Sequence, residues 1–246
     1  MKANILAIHG SFKGDTNNGA MAKTMAAIVL CMLGVLGCNG DSAVNRSAFE
    51  PAVGDLLFRD CNRGAMCDAI KAVTAGYNGA DFSHVGIVGR NEKGEPVVIE
   101  AVSKGVVTTD LPRFMERSLD STGHPKVIVG RLKKSYRHLI PAAIRQAVAL
   151  EGRPYDKAFV IGNDAYYCSE LVYEAFRQAN NGNPVFVLEP MTFKTPGSDE
   201  TLPAWREYFA KLGIDVPEGQ PGINPGGISR SPVLDIVYSY TESIKK

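Results

Sequence analysis

Three side chains in this sequence are of the types that cleave amides or esters through a thiol: Cys168, His84 and Glu100. A thiol becomes a nucleophile when a base takes its proton, and the base works best when a third group fixes its tautomer. Cys168 stands in DAYYCSELVYEAFR, residues 164–177, where an aromatic, turn-forming run gives way to apolar positions at Leu171, Val172, Ala175 and Phe176. Those positions share one face of a helix of period 3.6, so the cysteine falls at or just before its first turn. There the unpaired N–H groups and the positive end of the helix dipole favour a thiolate. Glu170 fits the same turn simply as a good helix start, and a small buried apolar cysteine fits the position too.

A base must come from the four histidines. His124 lies in the turn STGHPK and His138 just before a helix, where solvated surface residues are the rule; His9 lies in an N-terminal leader. His84 differs. In DFSHVGIVGR, Phe82, His84, Gly86 and Val88 alternate with Ser83, Val85, Ile87 and Gly89, the period-2 pattern of a strand. Glu100 lies inside a second apolar strand, VVIEAV, and a carboxylate there is costly unless paired. If these strands are antiparallel neighbours, His84 and Glu100 share one face, and the acid can orient the imidazole. A satisfied core histidine and an edge-strand glutamate facing water are the plainer alternatives.

The elements that must position these residues follow from the same patterns. GDLLF (54–58) reads as a turn and a short strand, and residues 66–73 as a helix. EPVVIEAV (95–102) and KGVVTTD (104–110) read as strands joined by a tight turn near Ser103. LPRFMERSL is a short helix, PKVIVGRL (125–132) a strand, and LIPAAIRQAVALEG (139–152) an amphipathic helix closed by Gly152 and Pro154. After the Cys168 helix come a helix in LPAWREYFAKLGI (202–214), the turn-rich PEGQPGINPGGISRSP, and a last short apolar segment. Residues 49–246 therefore form one α+β domain: a small, mostly antiparallel sheet or partial barrel with helices to one side.

Bulk properties narrow the function. The 246 residues are 45 % apolar, and 27 basic against 26 acidic residues leave no field to recruit nucleic acid or anionic lipid. No Cys or His pair has zinc-ligand spacing, so neither a metal nor a cofactor is expected. Residues 21–38, MAKTMAAIVLCMLGVLGC, have the layout of a secretory signal: a basic residue, an apolar run too short to span a membrane comfortably, then small residues. Its end, VLGC, resembles the bacterial lipobox, which makes Cys38 the expected lipid anchor. On that reading residues 1–37 are a leader that starts in effect at Met21, and residues 38–48 a lipid-anchored linker. The protein then sits in the bacterial cell envelope, on the periplasmic or exterior side, and touches the membrane through its lipid alone. Paired cysteines are usual in such a compartment. Cys61 and Cys67 could pair, but six residues apart on one helix they point to different faces, and two free thiols fit as well. Cys168 is the odd one left over.

A cysteine at a helix start, packed on a sheet that bears a histidine and then an acid, is the spatial recipe of papain-type sites. The ordered set GDLLF, FSHVGIV, VIEAV followed by GV, GRPYDKAF and YYCSELVYEAF, with PGINPGGISRSP behind it, resembles the YiiX-type permuted papain-like amidases. These are relatives of the NlpC cell-wall hydrolases and the lecithin:retinol acyltransferases. The resemblance covers roughly residues 50–235. It implies a circularly permuted papain-like fold in which the histidine precedes the cysteine, as His84, Glu100 and Cys168 do here. Carried across, it makes Cys168 the nucleophile, His84 the base and Glu100 the orienting acid, with Tyr155, Tyr167 and Ser83 expected to line the pocket. It further implies an amide substrate: a cell-wall-derived peptide, or else an N-acyl amino acid or lipid amide or ester. A non-catalytic lipoprotein that keeps the fold for ligand binding is the reading from a different class.

Overall fold

Apolar side chains stand at successive positions in LLF, VVI and VIV, and such runs need cover on both faces of a sheet. The computed structural model, which describes residues 49–61 and 64–241, supplies that cover. Five strands come first: β1 (Leu56–Arg59), β2 (His84–Arg90), β3 (Pro96–Val102), β4 (Gly105–Asp110) and β5 (Val127–Leu132). Two-residue strands β6 (Glu189–Pro190) and β7 (Pro221–Gly222) pair with each other, and β8 (Leu234–Ser239) completes the main sheet. That sheet runs β4-β3-β2-β1-β5-β8, every neighbour antiparallel. It is open, not a closed barrel. The helices are α1 (Ala65–Val73), α2 (Leu111–Glu116), α3 (Ile140–Ala149), α4 (Cys168–Ala179), α5 (Pro203–Leu212) and α6 (Pro225–Ser229).

One face of the sheet carries Leu56, Phe58, Val85, Ile87, Ile99 and Ile128, packed against Ala143 and Ala147 of α3 and Leu171, Val172 and Phe176 of α4. The other carries Leu57, Val88, Val98, Val127 and Val129 beneath Phe114 of α2, with Phe49 and Tyr238 stacked at 4.1 Å beside them. Each of the larger side chains contributes roughly 1.5–3 kcal/mol by leaving water. Pleat alternation therefore sends Leu57, Arg59, His84, Val98 and Glu100 to the α2 side. Gly86 lies between the two polar residues on that face. A Cβ there would meet Val98 Cγ1 at 2.4 Å and Glu100 Cβ at 3.4 Å, so glycine leaves room for the acid to reach the histidine.

α4 opens on an extended Tyr167 and stops where Asn181 turns left-handed, φ 55°, ahead of Gly182. α1 and α5 form a smaller core of Ala69, Trp205 and Phe209 with Phe193, and the Trp205 indole donates to the Ala69 carbonyl at 3.2 Å. Within the turn-rich stretch, NPGG begins α6: the Asn224 side chain accepts from the Gly227 N–H at 2.7 Å, and Pro225 takes the first helical position. A 3₁₀ helix over Lys134–Leu139 leads into α3, which ends at Ala149, three residues short of Gly152.

The cysteine pair resolves one open expectation. Cys61 and Cys67 form a disulfide with Cα atoms 6.0 Å apart. The objection that one helix would point them apart fails because α1 begins only at Ala65. Cys61 precedes that helix, and its N–H donates to Ser83 Oγ at 2.7 Å. Cys168 is the free cysteine among the described residues. Cys38, the leader and the linker to residue 48 lie outside the described residues, and no described helix is long and apolar enough to cross a membrane.

Candidate active site

Cys168 is the first residue of α4 and the first i→i−4 bond there runs from the Leu171 N–H, so the Cys168 N–H belongs to the unpaired set at the helix start. The thiol is buried, 6 % exposed, and the neighbours that favour its ionised form are His84 and the backbone N–H of Val85. Ser169 Oγ lies 3.8 Å from the sulfur. His84 opens β2. Its Nε2 is 2.6 Å from Glu100 Oε2.

Glu100 is fully buried and also accepts from Thr109 Oγ1 at 2.6 Å and from Arg117. Burial pushes its carboxyl up, but the hydrogen bonds from His84, Thr109 and Arg117 prevail and hold it at about 2. An ionised carboxylate only accepts, so Nε2 carries the proton and Nδ1 is left for the thiol. Burial and Arg59 push the His84 pKa down, yet the bonds to Cys168 and Glu100 outweigh them and raise it. Burial likewise opposes the thiolate of Cys168, and the bond to His84 more than offsets it. Both shifts favour a thiolate beside an imidazolium.

A cavity of about 260 Å³ opens onto Cys168. Ser83, Tyr155 and Tyr167 are among its lining residues, and His84 and Glu100 are not. Tyr167 is fixed by its hydroxyl, which accepts from the Ile223 N–H at 3.2 Å, and by an edge-to-face contact with Phe159 at 5.4 Å. Ser83 is fixed by Cys61. His124, bound to Thr122 in its turn, and His138 are exposed and stay away from this site.

With this geometry in place, the comparison with known proteins is direct. Residues 50–238 match the model of the permuted papain-like amidase family, YaeF/YiiX, C92. The chain belongs to that family. It is 29 % identical over 133 residues to the uncharacterized protein YiiX of Escherichia coli K12, an alignment that covers 54 % of this chain and 60 % of that protein. The crystal structure of YiiX from Escherichia coli O157:H7, described as a metalloprotein, superposes with a TM-score of 0.60 at 25 % identity. That superposition covers 78 % of this chain and 98 % of that one.

Sequence reasoning missed the cations around the acid, Arg59 and Arg117, and the far wall of the cavity, formed by Met191, Phe193, Trp205, Asn224 and Arg230. Only the cost of burying Glu100 signalled that a cation must be near. Its sequence position suits Glu170 to a solvated helix start, but the residue is 2 % exposed. Burial, with some help from Asp156, pushes its carboxyl up to about 8, against a 3.0 Å bond from the Gly162 N–H. At neutral pH it is an uncharged acid and adds no negative charge beside the thiolate.

Proposed function

We propose that this protein is a cysteine amidase in which Cys168 attacks the substrate carbonyl, His84 shuttles the proton and Glu100 orients His84. The observation that carries the proposal is the 2.6 Å bond between His84 and a fully buried Glu100, beside a buried thiol that opens a helix and lines a cavity and whose ionised form His84 favours. His84 Nδ1 takes the thiol proton, and the Cys168 thiolate adds to the amide carbon. The developing oxyanion faces the unpaired Cys168 N–H and the positive end of α4. His84 then protonates the leaving amine, leaving a thioester on Cys168. Water, deprotonated by His84, hydrolyses that ester and restores the thiol. Throughout, Glu100 keeps the proton on Nε2 and stabilises the imidazolium.

The substrate is a small amide, either a cell-wall-derived peptide or an N-acyl amino acid. Ile70, Val73, Phe159, Phe193 and Trp205 make the cavity walls largely apolar and favour an N-acyl group beside Cys168. The relative solved as YiiX is described as a metalloprotein. Among the described residues of this chain no three His, Cys, Asp or Glu side chains converge as ligands, and no step above runs through a metal.

We also propose export and anchoring through Cys38, a reading supported by VLGC and by the Cys61–Cys67 disulfide, which suits an oxidising compartment. Two experiments test these statements. Defined muropeptides and N-acyl amino acids, incubated with the protein and with Cys168→Ala, should be cleaved by the parent alone as read by mass spectrometry; equal cleavage by both would refute the assignment. Parent expressed in a bacterium should partition into detergent and Cys38→Ser should not, and identical behaviour of the two would make Cys38 incidental.

A further inference from the structure

Arg59 ends β1 directly opposite His84 in the β1–β2 register, so the two side chains share the α2 face. Its guanidinium lies 5.5 Å from the centroid of Phe114, and that of Arg117 lies 5.4 Å from the same ring. The Arg59 Nε is buried and has no hydrogen-bond partner. A guanidinium in such a place ordinarily has a carboxylate to itself. Here the neighbouring acids are committed elsewhere: Glu100 to His84, Thr109 and Arg117, and Asp60 to Lys71 and Lys126. Two arginines against one Glu100 leave the site with one unmatched positive charge facing the thiol–imidazole pair.

We propose that Arg59 is a positioning residue of the amidase site, the fixed positive charge that favours the thiolate of Cys168. This rests on Cys168 being the nucleophile. Burial and then Arg117 lower the Arg59 pKa, while Glu100 and the Cys168 sulfur support its charge. The same guanidinium opposes the imidazolium of His84, so it limits how basic the histidine becomes. The other charged or titratable groups around the pair do not duplicate it: Arg230 and Glu189 line the same cavity but are exposed, where water screens their charge. Tyr155 and Tyr167 are kept neutral by burial, and Glu170 is uncharged at neutral pH. Arg117 is bound to Glu100, and Asp60 is matched by its lysines.

The test is the pH dependence of Cys168 alkylation by iodoacetamide in the full chain, read from the mass of the Cys168 peptide, for the parent, Arg59→Met and Arg59→Lys. Removing the unit charge that stands opposite His84 should move the acid limb, where the thiolate forms, up by on the order of 1 pH unit. Arg59→Lys should return the limb to within about a third of that shift, since the charge is kept. A structural role alone would lower the plateau and leave the limb in place. An Arg59→Met limb coincident with the parent's overturns the proposal and leaves the nucleophile assignment standing. A parent Cys168 that alkylates no faster than ordinary cysteine near neutral pH overturns the nucleophile assignment and this proposal with it.

Discussion

Glu170→Gln should stabilise the protein, by an amount that grows with pH. The carboxyl has a folded pKa of about 8 against an ordinary value of 4.5. Below about pH 4.5 both the folded and the unfolded chain carry the proton, and burial of the acid incurs no ionisation penalty. As pH rises toward about 8, the unfolded chain ionises and the folded one does not, so stability is lost at about 1.4 kcal/mol per pH unit. Above about 8 both states ionise and the loss levels off. Glutamine keeps the acceptor for the Gly162 N–H, and its amide takes the place of the unpartnered oxygen, Oε2. Urea unfolding near pH 5.5 and near pH 7.5 should therefore show the advantage of Glu170→Gln increasing by roughly 2–3 kcal/mol between the two, at constant slope in urea. An advantage that is the same at both pH values, or that shrinks as pH rises, would refute the buried neutral acid.

Three further outcomes follow from the same geometry. Glu100→Gln should reduce kcat/KM by on the order of 10 to 100-fold and cost about 1–3 kcal/mol, because one amide cannot accept from His84, Thr109 and Arg117 together; full activity and stability would remove Glu100 from the site. Gly86→Ala should cost about 1–3 kcal/mol and lower turnover by displacing Glu100, whereas Gly89→Ala, whose Cβ meets Ile99 Cδ1 at 3.4 Å, should be milder in thermal melts and in activity. Replacing Cys61 and Cys67 by serine should lower unfolding stability by about 2 kcal/mol, as expected of a short closed loop, and chemical denaturation with and without reductant measures it.

What could be read in advance divides along physical lines. Cys168 at the start of α4 and the antiparallel placement of β2 beside β3 were legible because they depend on local periodicity and on the cost of one buried acid. Arg59 and Arg117 were not: a cation closing a short strand or following a helix looks like a solvated terminus until the sheet and Phe114 enclose it. The α6 helix was hidden in NPGG, where the Asn–Pro pair that marks a turn also caps a helix. The far wall of the cavity depends on packing between distant segments, the β6–β7 pair and α5 against α1, and no window of the sequence holds that information. Glu170 misled because a carboxyl two residues into a helix has the same sequence signature whether it meets water or an apolar interior.

The most direct measurement of the central claim is a search for the acyl-enzyme. The protein is mixed with amides from the muropeptide and N-acyl amino-acid panel, quenched in acid within the first turnovers, digested, and the peptide containing Cys168 weighed. The account predicts a mass increment equal to the acyl half of the cleaved amide on that peptide, present in the parent and absent from His84→Ala, where the thiol is not activated. Cleavage of the same amide with no increment at Cys168, or with undiminished rate in Cys168→Ala, would contradict it.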